Sequence, residues 1–364
     1  MKQLSAVLVV VACATSAVRS ADVYDYRVTE LKAPDCVQET SSAFFSQNVQ
    51  QTEPIHPVLP VSNFYLLVRY LGENAIEAAP AFDFSRLPDD YGDRSLRGLP
   101  LTNLRVPDPK STWQRANRAD ATMDDSSAFQ IHCFDAASFI NTWTFPQRSI
   151  EGGGPHAIYG YSFNDPPPPP IFDAHPGTDF VLQASIEIPW YAQWPDATVL
   201  DQPNGQVNLF AYFRDRYTTK TFALLLAVFD NRFAANPTYR SFVAHDGGTP
   251  FVSMPLNGSA AYATLSPYSS VFTGMPWTGL RFFRAHVTQE NFRHALADIN
   301  AYCAGHAEAR YCYPAPLIWT AYSPAVQNYE LTDFGVIQEI SRGGPAGNVA
   351  MAVHVYDLGA WNFR

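Results

Sequence analysis

The sequence predicts a mainly β protein, an antiparallel β-sandwich of the concanavalin A-like jelly-roll type with one short amphipathic helix. Short segments rich in aromatic and β-branched residues recur along the chain and are separated by turn residues, as in a sandwich. One later segment instead places its apolar residues at helical spacing. With 47% hydrophobic and 16% charged residues, the chain has the composition of a globular protein that builds a core.

The first half of the chain gives few strand signals. Residues 63–71 and 128–134 are predicted strands because they are rich in aromatic and branched side chains. Between them, residues 86–110 carry repeated Pro, Gly and Asp and are predicted to be surface loop. Residues 135–143 are predicted to form a short helix with Asp135 as its N-cap.

Five consecutive prolines at 166–170 mark the best candidate boundary in the chain. Proline has no backbone N–H and a fixed φ, so this segment is predicted to be extended and exposed. It follows a loop-rich β region at 21–165 and precedes the predicted sandwich at 171–364. Two interpretations stay open, a linker between two domains and a rigid loop within one domain.

Strand signals are dense after the prolines. Strands are predicted at residues 180–188, 206–214, 219–229, 280–287, 334–340 and 348–356. Residues 214–220 are predicted to join the second and third of these as a hairpin. Residues 342–347 join the last two, where Gly343 and Gly344 can take positive φ.

The amphipathic helix is predicted to begin after Thr288, whose side chain can cap it. The following apolar residues fall on one side of a helix; they are Phe292, Ala295, Leu296, Ile299 and Cys303.

The strand at 180–188 sorts its side chains onto two faces. Phe180 and every second residue to Ile188 are apolar, whereas Gln183, Ser185 and Glu187 are polar. An aromatic turn with Trp190, Tyr191 and Trp194 is predicted to follow. Rings of this kind stack on pyranose faces, and they are also the usual filling of a large core.

Polar residues alternate in the next strand too, at Asn208, Tyr212 and Arg214. If the two strands are neighbours, these side chains share one surface with Gln183, Ser185 and Glu187, able to donate to and accept from sugar hydroxyls. Later strands add further polar residues at alternating positions; they are Arg284, His286, His354 and Tyr356. The competing interpretation is the solvated side of an ordinary antiparallel sheet.

Glu187 is the leading catalytic candidate, as acid or nucleophile of a glycosidase. Such chemistry needs a second carboxylate, at roughly 5–5.5 Å for retention or 6.5–9.5 Å for inversion. Asp215, Asp230 or Glu339 could supply it, and spacing does not choose among them. Glu187 as an ordinary solvated side chain is the alternative.

A polysaccharide lyase is a further option. In that reading, Tyr212 or His286 removes a proton beside a carboxylate that Arg214 neutralises.

The first twenty residues read as a secretory signal peptide, with a basic start, an apolar core and a cleavage site before Ala21. The alternative is a lipoprotein signal with Cys13 as the lipidated residue. We therefore expect a secreted, extracellular protein, or else a periplasmic or lipid-anchored one. No transmembrane segment is predicted, because the apolar core is too short for a span.

Four cysteines remain after the signal, an even number that favours two disulfides in an oxidising compartment. Cys303 and Cys312 enclose a short loop and are paired with each other, which leaves Cys36 with Cys133. Zinc is improbable, since close cysteine pairs are absent.

The formal net charge of −10 argues against nucleic acid as a partner. It also repels acidic polysaccharides at long range, unless local arginines overcome this. No cofactor is predicted. Structural calcium is an option where acidic residues gather, although neither run has the order of a known calcium loop; the two runs are Asp89, Asp90, Asp93 and Asp120, Asp124, Asp125.

Three functions therefore stay open. The leading one is a secreted protein that binds glycan or polysaccharide through the polar sheet face and the aromatic loop. The others are a glycoside hydrolase or lyase on the same scaffold, and a structural or adhesive surface protein. The sequence does not decide whether the protein is an enzyme.

Overall fold

The computed structural model of the chain describes its strands, its main helix and several connections. The described residues are 26–32, 53–54, 64–71, 75–78, 112–117, 127–132, 135–141, 156–163, 171–172, 177–194, 203–234, 240–246, 249–257, 261–306, 312, 321–341 and 348–363.

Within these ranges the strands form two sheets. Sheet A contains β1 (Tyr26–Lys32), β3 (Phe64–Leu71), β8 (His156–Ser162), β10 (Asn204–Asp215), β11 (Thr221–Asp230), β12 (Phe242–Asp246), β13 (Thr249–Pro255) and β16 (Tyr329–Ser341). Sheet B contains β2 (Glu53–Pro54), β4 (Ala75–Ala78), β5 (Thr112–Asn117), β6 (Ser127–His132), β7 (Asp135–Asn141), β9 (Asp179–Trp194), β14 (Thr264–Leu265), β15 (Trp277–Val287) and β17 (Asn348–Phe363).

The strand order in sheet A is β1-β3-β8-β16-β10-β11-β13-β12, and in sheet B it is β14-β15-β9-β17-β7-β6-β5-β4, with β2 against the end of β17. Pairing is antiparallel except between β11 and β13. Strands β7 to β10 alternate between the sheets along the chain, as strands of a double-sheet jelly roll do. The predicted class, a mainly antiparallel β-sandwich with one helix, is confirmed.

The core lies between the sheets and follows from the alternation along each strand. On β9 every second side chain from Phe180 to Ile188 enters the core. On β10 every second side chain from Val207 to Phe213 does the same. Each buried large apolar side chain contributes roughly 1.5–3 kcal/mol, so this pattern fixes which face of each strand points inward.

The predicted helix is confirmed as α1 (Gln289–Gly305). The Thr288 side chain accepts from the backbone N–H of Asn291, whose own side chain accepts from the Thr288 backbone N–H. The Phe292 ring lies 5.0 Å from the Phe213 ring and 5.3 Å from the Phe222 ring, measured between centroids. The helix therefore covers one end of the core beside β10 and β11.

One of the two predicted disulfides falls within the described residues. Cys303 at the end of α1 is bonded to Cys312, with a Cα–Cα distance of 5.2 Å. Cys36 and Cys133 lie outside the described residues, as do the predicted loop at 86–110, the prolines at 166–170 and the acidic runs considered for calcium.

The predicted strands at 63–71 and 128–134 correspond to β3 and β6. The hairpin at 214–220 is confirmed, because β10 and β11 pair antiparallel up to Arg214 and Thr221. Asp215 accepts from the backbone N–H of Tyr217 in this turn. Strands that precede the prolines and strands that follow them share both sheets.

The short helix predicted at 135–143 is wrong, because this segment forms β7. Ala136 and Ile140 pack in the core, while the Ser138 hydroxyl between them hydrogen-bonds Tyr159 and Gln338 of sheet A. Pairing with β6 on one side and β17 on the other overrides the local capping signal of an aspartate.

Residues 342–347, with Gly343 and Gly344, lie outside the described residues. The strands on either side, β16 and β17, belong to different sheets, so this connection crosses from sheet A to sheet B. Among the described residues, no helix is long and apolar enough to cross a membrane.

Candidate functional site

The outer face of sheet B, the side turned away from sheet A, carries most of the predicted polar residues. Their neighbours in sequence enter the core, so alternation places them outward. On β9 they are Gln183, Ser185 and Glu187; on β15 they are Arg284 and His286; on β17 they are His354 and Tyr356.

The strand register arranges these residues in rows. Gln183 lies between Arg284 of β15 and Gly359 of β17. Ser185 lies between Phe282 and Tyr356.

Further along β9, Glu187 pairs with His354. The three neighbouring strands β15, β9 and β17 therefore present one connected polar surface.

Burial separates this surface from an ordinary solvated sheet face. Glu187 is 3% exposed, Arg284 5% and Gln183 7%. Charged side chains are almost never enclosed to this degree unless they are paired or functional. The interpretation of Glu187 as a solvated side chain is therefore wrong.

Glu187 has a defined partner on each carboxylate oxygen. Oε1 accepts from the backbone N–H of Gly279 at 2.5 Å, and Oε2 lies 3.9 Å from His354 Nδ1. The neighbouring His354 ring lowers the pKa of Glu187 below its ordinary value, against the opposing effect of burial and with help from the hydrogen bond of Gly279. Glu187 is thus held as a carboxylate, which suits a base or nucleophile better than an acid.

Asp357 is the carboxylate that the structure brings to the same face. It interrupts β17 with a φ of 53°, and its Oδ2 accepts from the Ser185 hydroxyl at 3.4 Å. Burial raises the pKa of Asp357, opposed by the bond from Ser185. The environment therefore shifts the pKa of Asp357 and that of Glu187 in opposite directions.

The carboxylates proposed from the sequence as partners of Glu187 lie elsewhere. Asp215 and Asp230 end strands of sheet A, where Asp215 caps a turn and Asp230 binds Arg232 at 2.9 Å. Glu339, also of sheet A, accepts from Gln206 at 2.7 Å. Sequence reasoning missed Asp357 because Asp-Leu-Gly resembles the end of a strand. A glycine two residues after an aspartate inside a strand can also indicate a bulge.

The predicted shared surface of β9 and β10 does not exist, because these strands lie in different sheets. Asn208, Tyr212 and Arg214 occupy the outer face of sheet A, so the core separates them from Glu187. There, Arg214 binds Glu330 at 2.5 Å.

The lyase constellation fails for the same reason. Tyr212 and Arg214 lie on sheet A, whereas His286 lies on sheet B.

The aromatic turn predicted after residue 188 is a continuation of β9. A register shift between Ala352 and His354 of β17 changes the alternation there. As a result Trp190 does not share the core face of Ile188 but lies beside Phe139 on the outer face, whereas Tyr191 packs against the core.

Trp190 packs against Phe139 at 5.3 Å and is 1% exposed. Tyr191 packs against Phe229 at 5.4 Å. Both rings fill packing positions, and the side chain of Trp194 lies outside the described part of the chain.

Trp361 is a further large ring on the outer face of sheet B. A Cβ on Gly359 would lie 2.6 Å from the Trp361 ring, so the indole rests directly on the bare backbone of that glycine. The Arg284 guanidinium lies 5.8 Å from the centroid of the same ring. Burial lowers the pKa of Arg284.

No metal site emerges from the described residues, which contain no group of three or more His, Cys, Asp or Glu placed to hold an ion.

No protein-family model matches the chain, and no curated protein matches it. Among solved structures it is similar to the family 11 xylanase from Neocallimastix patriciarum, with 8% identity over 69% of this chain and 91% of that chain and a TM-score of 0.28. It is also similar to a loop-swap mutant of Xyn11A from the same organism, with 10% identity over 71% and 94% of the two chains and a TM-score of 0.26. Scores this low do not establish a shared fold, so the fold stated above rests on the strands themselves.

Proposed function

We propose that the chain is a carbohydrate-binding protein whose ligand lies on the outer face of sheet B, across β15, β9 and β17. The observation that carries this proposal is the enclosed set of polar side chains on that face, beside Phe282 and Tyr356. Amide, hydroxyl and charged groups together donate to and accept from sugar hydroxyls.

Phe282 and Tyr356 take the stacking role that the sequence suggested for Trp190 and Trp194. They flank Ser185 on the two neighbouring strands, and both are partly exposed. A pyranose ring can lay its apolar C–H face on an aromatic ring while its hydroxyls reach Ser185 and Gln183.

A glycan array on the mature protein, followed by calorimetry on any hit, tests this proposal. Tyr356→Ala should weaken binding by about tenfold, equivalent to roughly 1.4 kcal/mol. The matched control is Tyr212→Ala, which removes a tyrosine from the outer face of sheet A and should leave affinity unchanged. Equal losses in both variants would place the ligand elsewhere.

A blank array would remove the carbohydrate proposal. The structural or adhesive reading of the chain would then become the better one.

Hydrolysis is a second candidate function, favoured by the opposite pKa shifts of Glu187 and Asp357. Two carboxyl groups whose pKa values are pushed apart can divide the roles of acid and base. Asp357, with a raised pKa and partial exposure, suits the acid. Glu187 lies deeper, and a substrate would reach it only if the Gly279 segment moved.

Release of reducing ends from a bound glycan tests the second candidate. Asp357→Asn and Glu187→Gln should each lower the rate by about 10²–10⁴-fold while binding is retained. Binding without any release by the unmodified protein would leave a binding function alone.

Secretion is part of the proposal and rests on the first twenty residues. Amino-terminal sequencing of the protein released by expressing cells should begin at Ala21. Retention in the membrane fraction with a lipid on Cys13 would instead establish the anchored form.

A further inference from the structure

Arg284 is a buried cation on the outer face of sheet B for which the described part of the chain provides no anionic partner. It is 5% exposed, and its Nε is fully enclosed without a hydrogen bond. In the described part of the chain its guanidinium contacts the Trp361 ring and forms no ion pair.

Other arginines of the described chain show what this one lacks. Arg214 and Arg216 both bind Glu330, and Arg232 binds Asp230. Arg281 has no such pair but is exposed to solvent. Arg284 combines burial with the absence of a carboxylate, and that combination costs free energy.

The carboxylates of the same face are already engaged. Glu187 faces Gly279 and His354, while Asp357 accepts from Ser185. Asp179, at the start of β9, lies 3.7 Å from His286 Nδ1. None of the three forms an ion pair with Arg284, so the positive charge there is not neutralised by the described part of the protein.

Gln183, the cross-strand neighbour of Arg284, adds a second unused group. It is 7% exposed, and no hydrogen bond to its side-chain amide occurs among the described residues. Five guanidinium donors and a carboxamide with both donors and acceptors therefore lie side by side on β15 and β9.

Arg284 is held in place by Trp361, which lies on the far side of β9. Trp361 belongs to β17, so the guanidinium and the indole meet above the strand that separates them. The bare backbone of Gly359 leaves room for that indole. A cation held on an aromatic ring keeps its fork of donors oriented before a ligand arrives.

We infer that Arg284 and Gln183 form a subsite for a carboxylate on the glycan, so the ligand of this face is an acidic sugar of the uronate class. This inference rests on the proposed carbohydrate-binding function. The planar guanidinium takes a carboxylate through two parallel hydrogen bonds, and the neighbouring amide reaches a hydroxyl of the same ring. The ligand then supplies the negative charge that the described part of the protein does not provide to Arg284.

The test compares a short oligouronate with its fully methyl-esterified form by calorimetry. The acid should bind about 30-fold more tightly than the ester, because the ester presents no charge to Arg284. Arg284→Gln should abolish this preference, because the acid and the ester then meet the same neutral side chain. Arg214→Gln, on the outer face of sheet A, is the control and should keep the preference.

The stability of the variant provides a readout independent of binding. Removing a buried charge that has no partner should leave the Tm of Arg284→Gln unchanged or raise it. A marked loss of Tm together with an unchanged preference would assign Arg284 to folding and overturn the inference.

The outcomes separate this inference from the proposed function. Equal affinity for acid and ester would overturn the acidic-sugar inference and leave carbohydrate binding intact. Failure to bind either form, on an array blank for neutral glycans too, would overturn both. Competition by acetate is a further test. If acetate competes as strongly as the oligouronate, the site binds a carboxylate without recognising a sugar, and that result also overturns the inference.

Discussion

At the scale of single residues, Glu187 shows how a buried charge is retained in the fold. Its oxygens face a backbone N–H of Gly279 and the ring of His354. These contacts lower its pKa despite burial, so the folded protein favours the ionised form.

Glu187→Gln should therefore destabilise the protein most at neutral pH. A lowered pKa in the folded state gives stability that is present above the unfolded pKa and is lost as pH falls through the folded pKa. We expect a loss of about 1–3 kcal/mol in the free energy of unfolding at pH 7, shrinking towards zero below about pH 4. Urea unfolding of both proteins across this pH range measures the difference.

The control for this experiment is Glu290→Gln, which removes an exposed carboxylate at the start of α1. It should change the free energy of unfolding by less than about 0.5 kcal/mol. A pH-independent loss in Glu187→Gln would contradict the proposed role of the ionised carboxylate.

Alternation along β9 correctly places Gln183, Ser185 and Glu187 on one outward face. It gives no signal that Asp357 and Trp361 complete that face, because their contacts with Ser185 and Arg284 join residues far apart in the chain.

At the scale of elements, β16 passes unusually close to its neighbours at Gly335. A Cβ at this position would lie 1.9 Å from the carbonyl oxygen of Tyr159 and 2.9 Å from the ring of Phe210. Those atoms belong to β8 and β10, the strands that pair with β16 on either side. The glycine is therefore required by space in the centre of sheet A.

Gly335→Ala should lower the free energy of unfolding by about 3 kcal/mol or more, because backbone must move to admit the methyl group. Gly305→Ala is the matched control at the end of α1, where nothing lies within 4 Å of the added Cβ. That variant should be neutral or more stable by up to about 1 kcal/mol. Denaturant unfolding measures both, and a neutral Gly335→Ala would contradict the described packing of β16.

The disulfide ties the end of α1 to Cys312, which contacts the turn before β11. Cys303 is bonded to Cys312, and the Cys312 carbonyl accepts from Lys220 Nζ at 3.2 Å. Closing this short loop reduces the conformational entropy of the unfolded chain, which adds about 2–3 kcal/mol to the free energy of unfolding.

The double variant Cys303→Ala/Cys312→Ala should lose about that free energy of unfolding. A reductant should lower the Tm of the unmodified protein at least as far as the double substitution does, as scanning calorimetry can show. A reductant-sensitive variant would indicate a second disulfide, such as the predicted pair Cys36 and Cys133.

Strand ends were the least predictable feature of the elements. The strand predicted at 180–188 continues through Pro189 to Trp194 as β9. Neither neighbouring strand pairs with Pro189, which lies at the register shift where its missing N–H costs nothing. Irregularities inside long strands therefore account for the predictions that ended too early.

At the scale of the whole molecule, the net charge of the chain is opposite in sign to the charge of the proposed carboxylate subsite. The chain carries a formal net charge of −10, whereas Arg284 offers an enclosed positive site. Long-range repulsion of an acidic ligand is screened by salt, while a buried contact is screened much less.

Affinity for an oligouronate should therefore be unchanged or rise when the ionic strength increases from about 0.01 to 0.15 M. A protein that binds polyanions through an exposed basic patch shows the opposite trend. Calorimetry at the two salt concentrations distinguishes these behaviours. A steep loss of affinity with salt would point to surface charges instead of Arg284.

The sequence alone determined the class of the fold, α1, most strands after the prolines, and which residues share a face where a strand is regular. These features depend on periods of two and 3.6 residues that local chain geometry imposes. Only the tertiary structure decided that β9 and β10, consecutive in the chain, lie in opposite sheets, and that Arg284, Glu187 and Asp357 meet on one outer face. Strand partners are set by packing between distant segments, and no local pattern records that choice.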